Sequence, residues 1–298
     1  MSHNVFNGIQ LFPDDAIFNR RCNDMPIHPL SATWMAALEA SSGKAVINWN
    51  NGSGALPTLT NSISDTPAGI VITTYPQFCT MTNSFLPIDI PIDTSGDARV
   101  IALDTLQKRL TEISAASIVS GVWHASAGAT WNVDEYANTP IPPGQLWALS
   151  SDAAGLPALP LCPRYEEIYY DKVINHALNC VVPATVNSAL WPATSPGNTT
   201  IATNPPMGAR LRLSQSFNID TFDTRSDVRE LLRQLQTYGL IVRDNGATSG
   251  LTIESTQDSR WNTTPFYAGT LVLPALSNWE FVDEHNYMIQ SSSYQSLV

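Results

Sequence analysis

The sequence predicts an all-β fold: a mainly antiparallel β-sandwich of jelly-roll type with two packed α-helices, forming one domain over residues 1–298. Three observations lead there. Short β-branched and aromatic runs bounded by Gly, Pro, Asn and Asp recur from Ala68 onward. Only two segments carry the 3.6-residue period of a helix. No internal repeat, heptad pattern or sharp change of composition marks a second domain.

The elements follow in chain order. In LSATWMAALEAS, Trp34, Met35 and Leu38 fall at helical spacing behind Ser31, a suitable N-cap, so a helix is expected over Ser31 to Ala40. The polar stretch from Asn48 to Pro67 reads as loop. Strands are expected in AGIVITTYPQF, ARVIALDTL, RLTEISAASIV, GVWHASAGATWNV, QLWALSS, INHALNCVV and ARLRLSQSF. The second helix, Arg225 to Tyr238, places Val228, Leu231, Leu232 and Leu235 on one face. Thr224 and Asp227 resemble a capping box there, and Gly239 stands at C′. LIVRDNGATSGLTIES then reads as two short strands around a Gly turn, a hairpin.

Composition narrows the function. Charged residues make up 14% of the chain, against about a quarter in an average soluble protein. Ser, Thr, Asn and 21 prolines take their place, a profile suited to a secreted or particle-surface protein. With a net charge of −11 and only 15 Lys and Arg, the counterion release that drives nucleic-acid binding has no source. No apolar run reaches the roughly 18 residues of a membrane span, so no membrane insertion is expected. The opening MSHNVFNGIQLF has no basic segment followed by an apolar one, so no signal peptide is expected within it. Cys22, Cys79, Cys162 and Cys180 form no C-x-x-C pair, which argues against zinc and leaves zero to two disulfides open. Asn51, Asn198 and Asn262 begin glycosylation sequons.

The candidate site residues cluster around the stretch from Ser150 to Leu178. Asp152, Glu167 and Asp244 are the carboxylates best placed for catalysis, because each stands beside Gly, Pro or aromatic residues rather than in a solvated charge run. Two of them across a cleft would serve as acid and base, or acid and nucleophile, on a glycosidic bond. The competing reading is structural: Asp152 caps a turn at Gly155, Asp244 with Asn245 and Gly246 is turn chemistry, and Glu167 pairs with Arg164. Arg164, Tyr165, His176, Trp191 and Asn245 are the expected ligand-binding side chains, although a lone histidine among apolar neighbours is more often a satisfied core residue. Trp123, Trp131, Trp147, Trp261 and Trp279, with Tyr169 and Tyr170, add rings of the kind that cover the apolar face of a sugar. His3, His28, His124 and His285 show no metal-binding spacing, no G-x-S-x-G elbow is present, and no cofactor is expected.

A resemblance adds to this reading. LFPDDAIFNRRCNDMPIHPLSATWMAAL, SGDARVIAL, SSDAAGLPALPLCPRYEEI, INHAL, PPMGARLRL, LRQLQTYGLIVRDNG, DSRW and WEFVD, in this order along nearly the whole chain, resemble the pattern of a group of secreted bacterial β proteins. That resemblance implies a single extracellular domain and carries no mechanism. The chain departs from the pattern twice. GDAR keeps Asp97 where the group reads G-D-R-H, and WPATS keeps Trp191 where the group reads W-P-A-R-H. The leading expectation is a glycan-recognising extracellular protein with a polysaccharide or surface glycan as partner, and polysaccharide hydrolysis or lyase chemistry as an extension. The alternative is a structural or virion-associated protein that assembles with further copies of itself. A metal-dependent oxidase or hydrolase is a third reading for which no histidine-rich site can be assembled.

Overall fold

The computed structural model describes residues 4–41, 43–49, 57–60, 67–81, 86–94, 96–223, 225–263 and 270–297. His3, Asn51 and Thr224 lie outside the described residues, as does most of the expected loop between Asn48 and Pro67. Strands and irregular connections dominate, and none of the described helices is long and apolar enough to cross a membrane.

The first helix runs Ser31–Ser41 and buries Trp34, Met35 and Leu38. Its Ser31 hydroxyl serves another element: it accepts the Phe281 N–H at 2.8 Å and so ties the helix to the Trp279–Val282 strand. Trp34 meets Phe281 edge-on at 5.2 Å, completing that attachment. The second helix runs Ser226–Thr237 and turns Val228, Leu231, Leu232 and Leu235 inward. Its N-cap is Arg225, one residue later than a box on Thr224 requires, and the Asp223 carboxylate accepts the Arg225 N–H at 2.8 Å. Gly239 ends this helix at φ +65°, and a Cβ there would lie 2.4 Å from the Leu211 carbonyl oxygen.

The largest sheet has seven strands in the order Thr270–Val272, Ala45–Asn48, Leu251–Glu254, Leu178–Val182, Leu240–Asn245, Arg210–Leu213 and Trp279–Val282. The expected hairpin over 240–255 does not form. Leu178–Val182 is inserted between its two arms, parallel to Leu240–Asn245 and antiparallel to Leu251–Glu254. The reason lies in its side chains. Leu178, Asn179, Cys180, Val181 and Val182 are all buried, and a run without a solvent face belongs at the centre of a sheet covered on both sides. Parallel pairs also join Ala45–Asn48 to Leu251–Glu254 and Pro57–Thr60 to Val100–Asp104, so the sheets are mixed where antiparallel pairing was expected to prevail.

A four-stranded sheet, ordered Ala127–Asn132, Arg109–Ser114, Val100–Asp104, Pro57–Thr60, feeds two apolar clusters. Ile101, Leu103, Leu110, Ala129 and Trp131 join the main core. Val100, Ala102 and Ile113 join a smaller one with Trp123 and Ala125 from the Val122–Ala125 strand. The alternation of strand side chains therefore makes one sheet the shared wall of both clusters.

Two further expectations change. Gln145–Ser151 joins no ladder, and the chain around His176 is not yet strand, since the strand begins at Leu178. Instead, Glu166–Asp171 forms one short π-helical turn closed by Lys172 at φ +52°. All four cysteines are free thiols, and burial pushes Cys162 up to about 11.

Candidate functional site

Loops and strand ends converge on a cleft of about 590 Å3. Asp97 and Arg99 arrive from the turn before Val100–Asp104, and Trp147 to Ala153 from the non-ladder segment. Asn187 and Ser195 to Asn198 form a third wall, and Asp244 with Asn245 closes the Leu240–Asn245 strand.

Single hydrogen bonds, rather than a ladder, hold the Trp147 wall. The Leu149 N–H donates to the Phe78 carbonyl at 2.8 Å and the Ala148 N–H to the Thr194 carbonyl at 3.0 Å. Phe78 then stacks on the Trp147 indole, with centroids 3.6 Å apart and planes 14° apart. Gly155 closes the corner at φ +72°. A Cβ there would sit 2.1 Å from Thr194 Oγ1, so the two segments approach this closely only because the residue is glycine.

Charge is concentrated on the floor. The Asp152 side chain is fully buried. Its Oδ1 accepts the Leu156 N–H at 3.1 Å and the Ser150 hydroxyl at 3.3 Å. Its Oδ2 accepts no hydrogen bond among the described residues and lies 3.6 Å from Arg243 Nη1. Burial pushes its carboxyl up to about 7 against the pull of Arg243 and Arg99. Asp244 is likewise raised by burial, with Arg99 and Arg243 opposing. Its Oδ2 lies 3.4 Å from Arg99 Nη2, and its Oδ1 accepts the Asn245 N–H at 2.7 Å. Arg99 also reaches the half-exposed Asp97 at 3.5 Å, and Arg243 reaches Glu254 at 2.7 Å. Behind the floor, buried Glu112 accepts the Ser151 hydroxyl at 2.8 Å and the N–H groups of Ala158 and Leu159. Asp97 and Asp244 keep exposed carboxylate oxygens that can accept hydrogen bonds from a polar ligand, while the Asp152 carboxylate is fully buried.

The sequence-predicted residues divide into two groups. Asp152, Asp244 and Asn245 meet in the cleft. Asp152 is also a turn cap, through Leu156. Glu167, Arg164 and His176 do not line it and form a closed cluster of their own. Arg164 Nη2 pairs with Glu167 Oε1 and donates to Asn4 Oδ1 at 2.8 Å, while Nη1 donates to the Leu159 carbonyl at 3.1 Å. His176 donates Nδ1–H to the Ala177 carbonyl at 2.8 Å, and its Nε2 lies 3.1 Å from Glu167 Oε1. Burial alone would raise Glu167, but Arg164 and His176 more than offset it and hold the carboxyl below its ordinary range. Tyr165 is buried between Tyr169 and Trp261. Trp191 packs on the main core and donates its indole N–H to the Ser293 carbonyl at 2.8 Å. The site wall expected from RYEEIYYDKVINHAL is thus replaced by Trp147, Asn187 and Arg99. Arg99 enters the sequence reading only within GDAR, whereas Trp147 is one of the rings the sequence offers to a sugar, in a segment that reads as strand.

Among the described residues no group of three His, Cys, Asp or Glu side chains is placed to hold a metal ion. Comparison with protein-family models, with curated proteins and with solved structures gave no match.

Proposed function

We propose that this protein is an extracellular or particle-surface sandwich of β-sheets that recognises a glycan in the cleft between Trp147 and Asp244. The observation that carries the reading is the lining itself. A half-exposed indole held flat by Phe78 lines the cleft with three aspartates, Asp97, Asp152 and Asp244, the guanidinium of Arg99 and the amides of Asn187, Asn198 and Asn245. Ring face for the apolar side of a sugar, fixed polar groups for its hydroxyls, is the usual division of labour in such a site. The two stretches that depart from the resembled secreted proteins, GDAR and WPATS, contribute Asp97, Arg99 and Ser195 to the same cleft, which supports a shared position with altered chemistry.

Hydrolysis is a second reading, supported by Asp152. A carboxyl of pKa about 7 beside a second cleft carboxylate is the pairing an acid and its partner need. Affinity electrophoresis of the purified protein through soluble polysaccharides tests recognition, and release of reducing or unsaturated ends tests cleavage. Retardation lost in Trp147→Ala supports binding in the cleft. Cleavage lost in Asp152→Asn and in Asp244→Asn, but kept in a folded Glu167→Gln, supports the enzyme. With no glycan retained, the structural or virion-associated assembly reading takes first place.

A further inference from the structure

Beside the cleft lies a second cavity of about 900 Å3, and Trp147, Asn187 and Pro196 line both. Each is within the size range of a small-molecule site, and the two differ in the chemistry of their linings. The first cavity is acidic. Asp97, Asp152 and Asp244 line it against Arg99, whose guanidinium already faces Asp97 at 3.5 Å and Asp244 at 3.4 Å. No charged side chain is among the described residues that line the second, where the apolar Ile141, Leu146, Ala189 and Ala193 stand among the neutral polar Asn138, Thr194, Ser291 and Ser292. Leu146 is 91% exposed and Ile141 49%, so this hollow presents branched apolar side chains to water that an occupant would cover. On the divide, the exposed Asn187 side-chain amide makes no hydrogen bond within the described residues.

We propose that the cleft takes a neutral polysaccharide of N-acetylated amino sugars, with an acetamido methyl group seated against Leu146 and Ile141 and its amide hydrogen-bonded to Asn187. This rests on the glycan reading and specifies its substrate class. An acetamido group joins a methyl to an amide donor and acceptor, matching a neutral hollow in which exposed branched side chains stand beside polar ones. A hydroxyl at the same carbon would leave Leu146 and Ile141 uncovered. A uronate would face carboxylates on the floor of a chain whose net charge is −11, with Arg99 already committed to two of them.

Isothermal titration at pH 7 with three oligosaccharide sets of equal length decides it. The sets are β-1,4-linked N-acetylglucosamine, β-1,4-linked glucose, which differs from the first only at C2, and galacturonate. The acetylated set is expected to bind at least tenfold more tightly than the glucose set, with no binding of galacturonate. Leu146→Ser, at a side chain that supports nothing in the core, should remove most of that tenfold difference while leaving glucose binding and the melting temperature unchanged. Equal binding of the acetylated and glucose sets, or tighter binding of galacturonate, overturns the acetamido assignment and leaves the glycan reading standing. No binding of any set overturns both.

Discussion

Two buried arginine–carboxylate clusters are built from the same residue types and end with opposite affinities for a proton. In the Arg164–Glu167–His176 cluster both carboxylate oxygens are used: Oε1 by Arg164 Nη2 and His176, Oε2 by the Arg164 N–H at 3.1 Å. In the Arg243–Asp152 cluster Oδ2 of the aspartate has only a guanidinium at 3.6 Å. Burial penalises both anions. The nearby charges of Arg164 and His176, reinforced by their hydrogen bonds, hold Glu167 below its ordinary range, whereas burial outweighs Arg243 and Arg99 and leaves Asp152 raised to about 7. The closed cluster is an internal strut. The open one lies at the cleft, which Asp152 lines although its carboxylate is fully buried.

The contrast can be broken most forcefully from the closed side. Glu167→Gln strands Arg164 and is expected to cost about 3–5 kcal/mol of stability at pH 7 by denaturant unfolding, with glycan retention kept by the folded fraction. Lost retention at an unchanged midpoint would instead make Glu167 a site residue.

Proton linkage gives the next largest effect and separates the clusters by sign. Asp152 has a folded pKa of about 7 against an ordinary 3.8, so the native state holds the proton more tightly. Its contribution is full below about pH 4 and is lost as pH rises through 7, on the order of 2–4 kcal/mol. Glu284, raised by burial to about 7 despite Arg210, acts in the same direction. Glu167 acts oppositely, and its contribution is lost as pH falls below its ordinary 4.5. Melting temperatures from pH 4 to 8 should fall in the wild type and fall less in Asp152→Asn. Parallel curves would remove Asp152 from the account.

Smaller effects belong to the rim. Trp147→Ala should weaken glycan binding about tenfold, which corresponds to roughly 1.4 kcal/mol, by removing the stacking surface backed by Phe78. Unchanged affinity would move the binding surface elsewhere. Asp97→Asn should change unfolding stability by no more than about 0.5 kcal/mol, because its side chain is 53% exposed and its pairing with Arg99 is screened.

Both helices were legible because their apolar spacing needs no partner to be recognised, as Val228, Leu231, Leu232 and Leu235 illustrate. Asp244 and Asn245 were legible because turn residues at a strand end tend to stand at a rim. Glu167 and Asp152 could not be told apart by sequence, since what separates them is the supply of hydrogen bonds from distant chain. Asn4 reaches Arg164 across 160 positions, while among the described residues no hydrogen bond reaches Asp152 Oδ2. QLWALSS alternates like a strand, yet its N–H groups at Ala148 and Leu149 go to two different loops. Local pattern records which face is apolar, not whether a neighbouring strand is available to pair with it.

The strand inserted between Leu240–Asn245 and Leu251–Glu254 also sets an order of events in folding. Those two segments are close in sequence and would otherwise zip together within microseconds, but the native sheet requires Leu178 to find Leu240 and Val181 to find Thr252 first. Loop closure over such separations is slow, so the centre of the sheet is completed late. Asp152 and Asp244 sit on opposite sides of that closure, one before the inserted strand and one after it along the chain. In refolding, helical circular dichroism is therefore expected to recover before the proposed glycan binding, whose return would time the docking of Leu178–Val182.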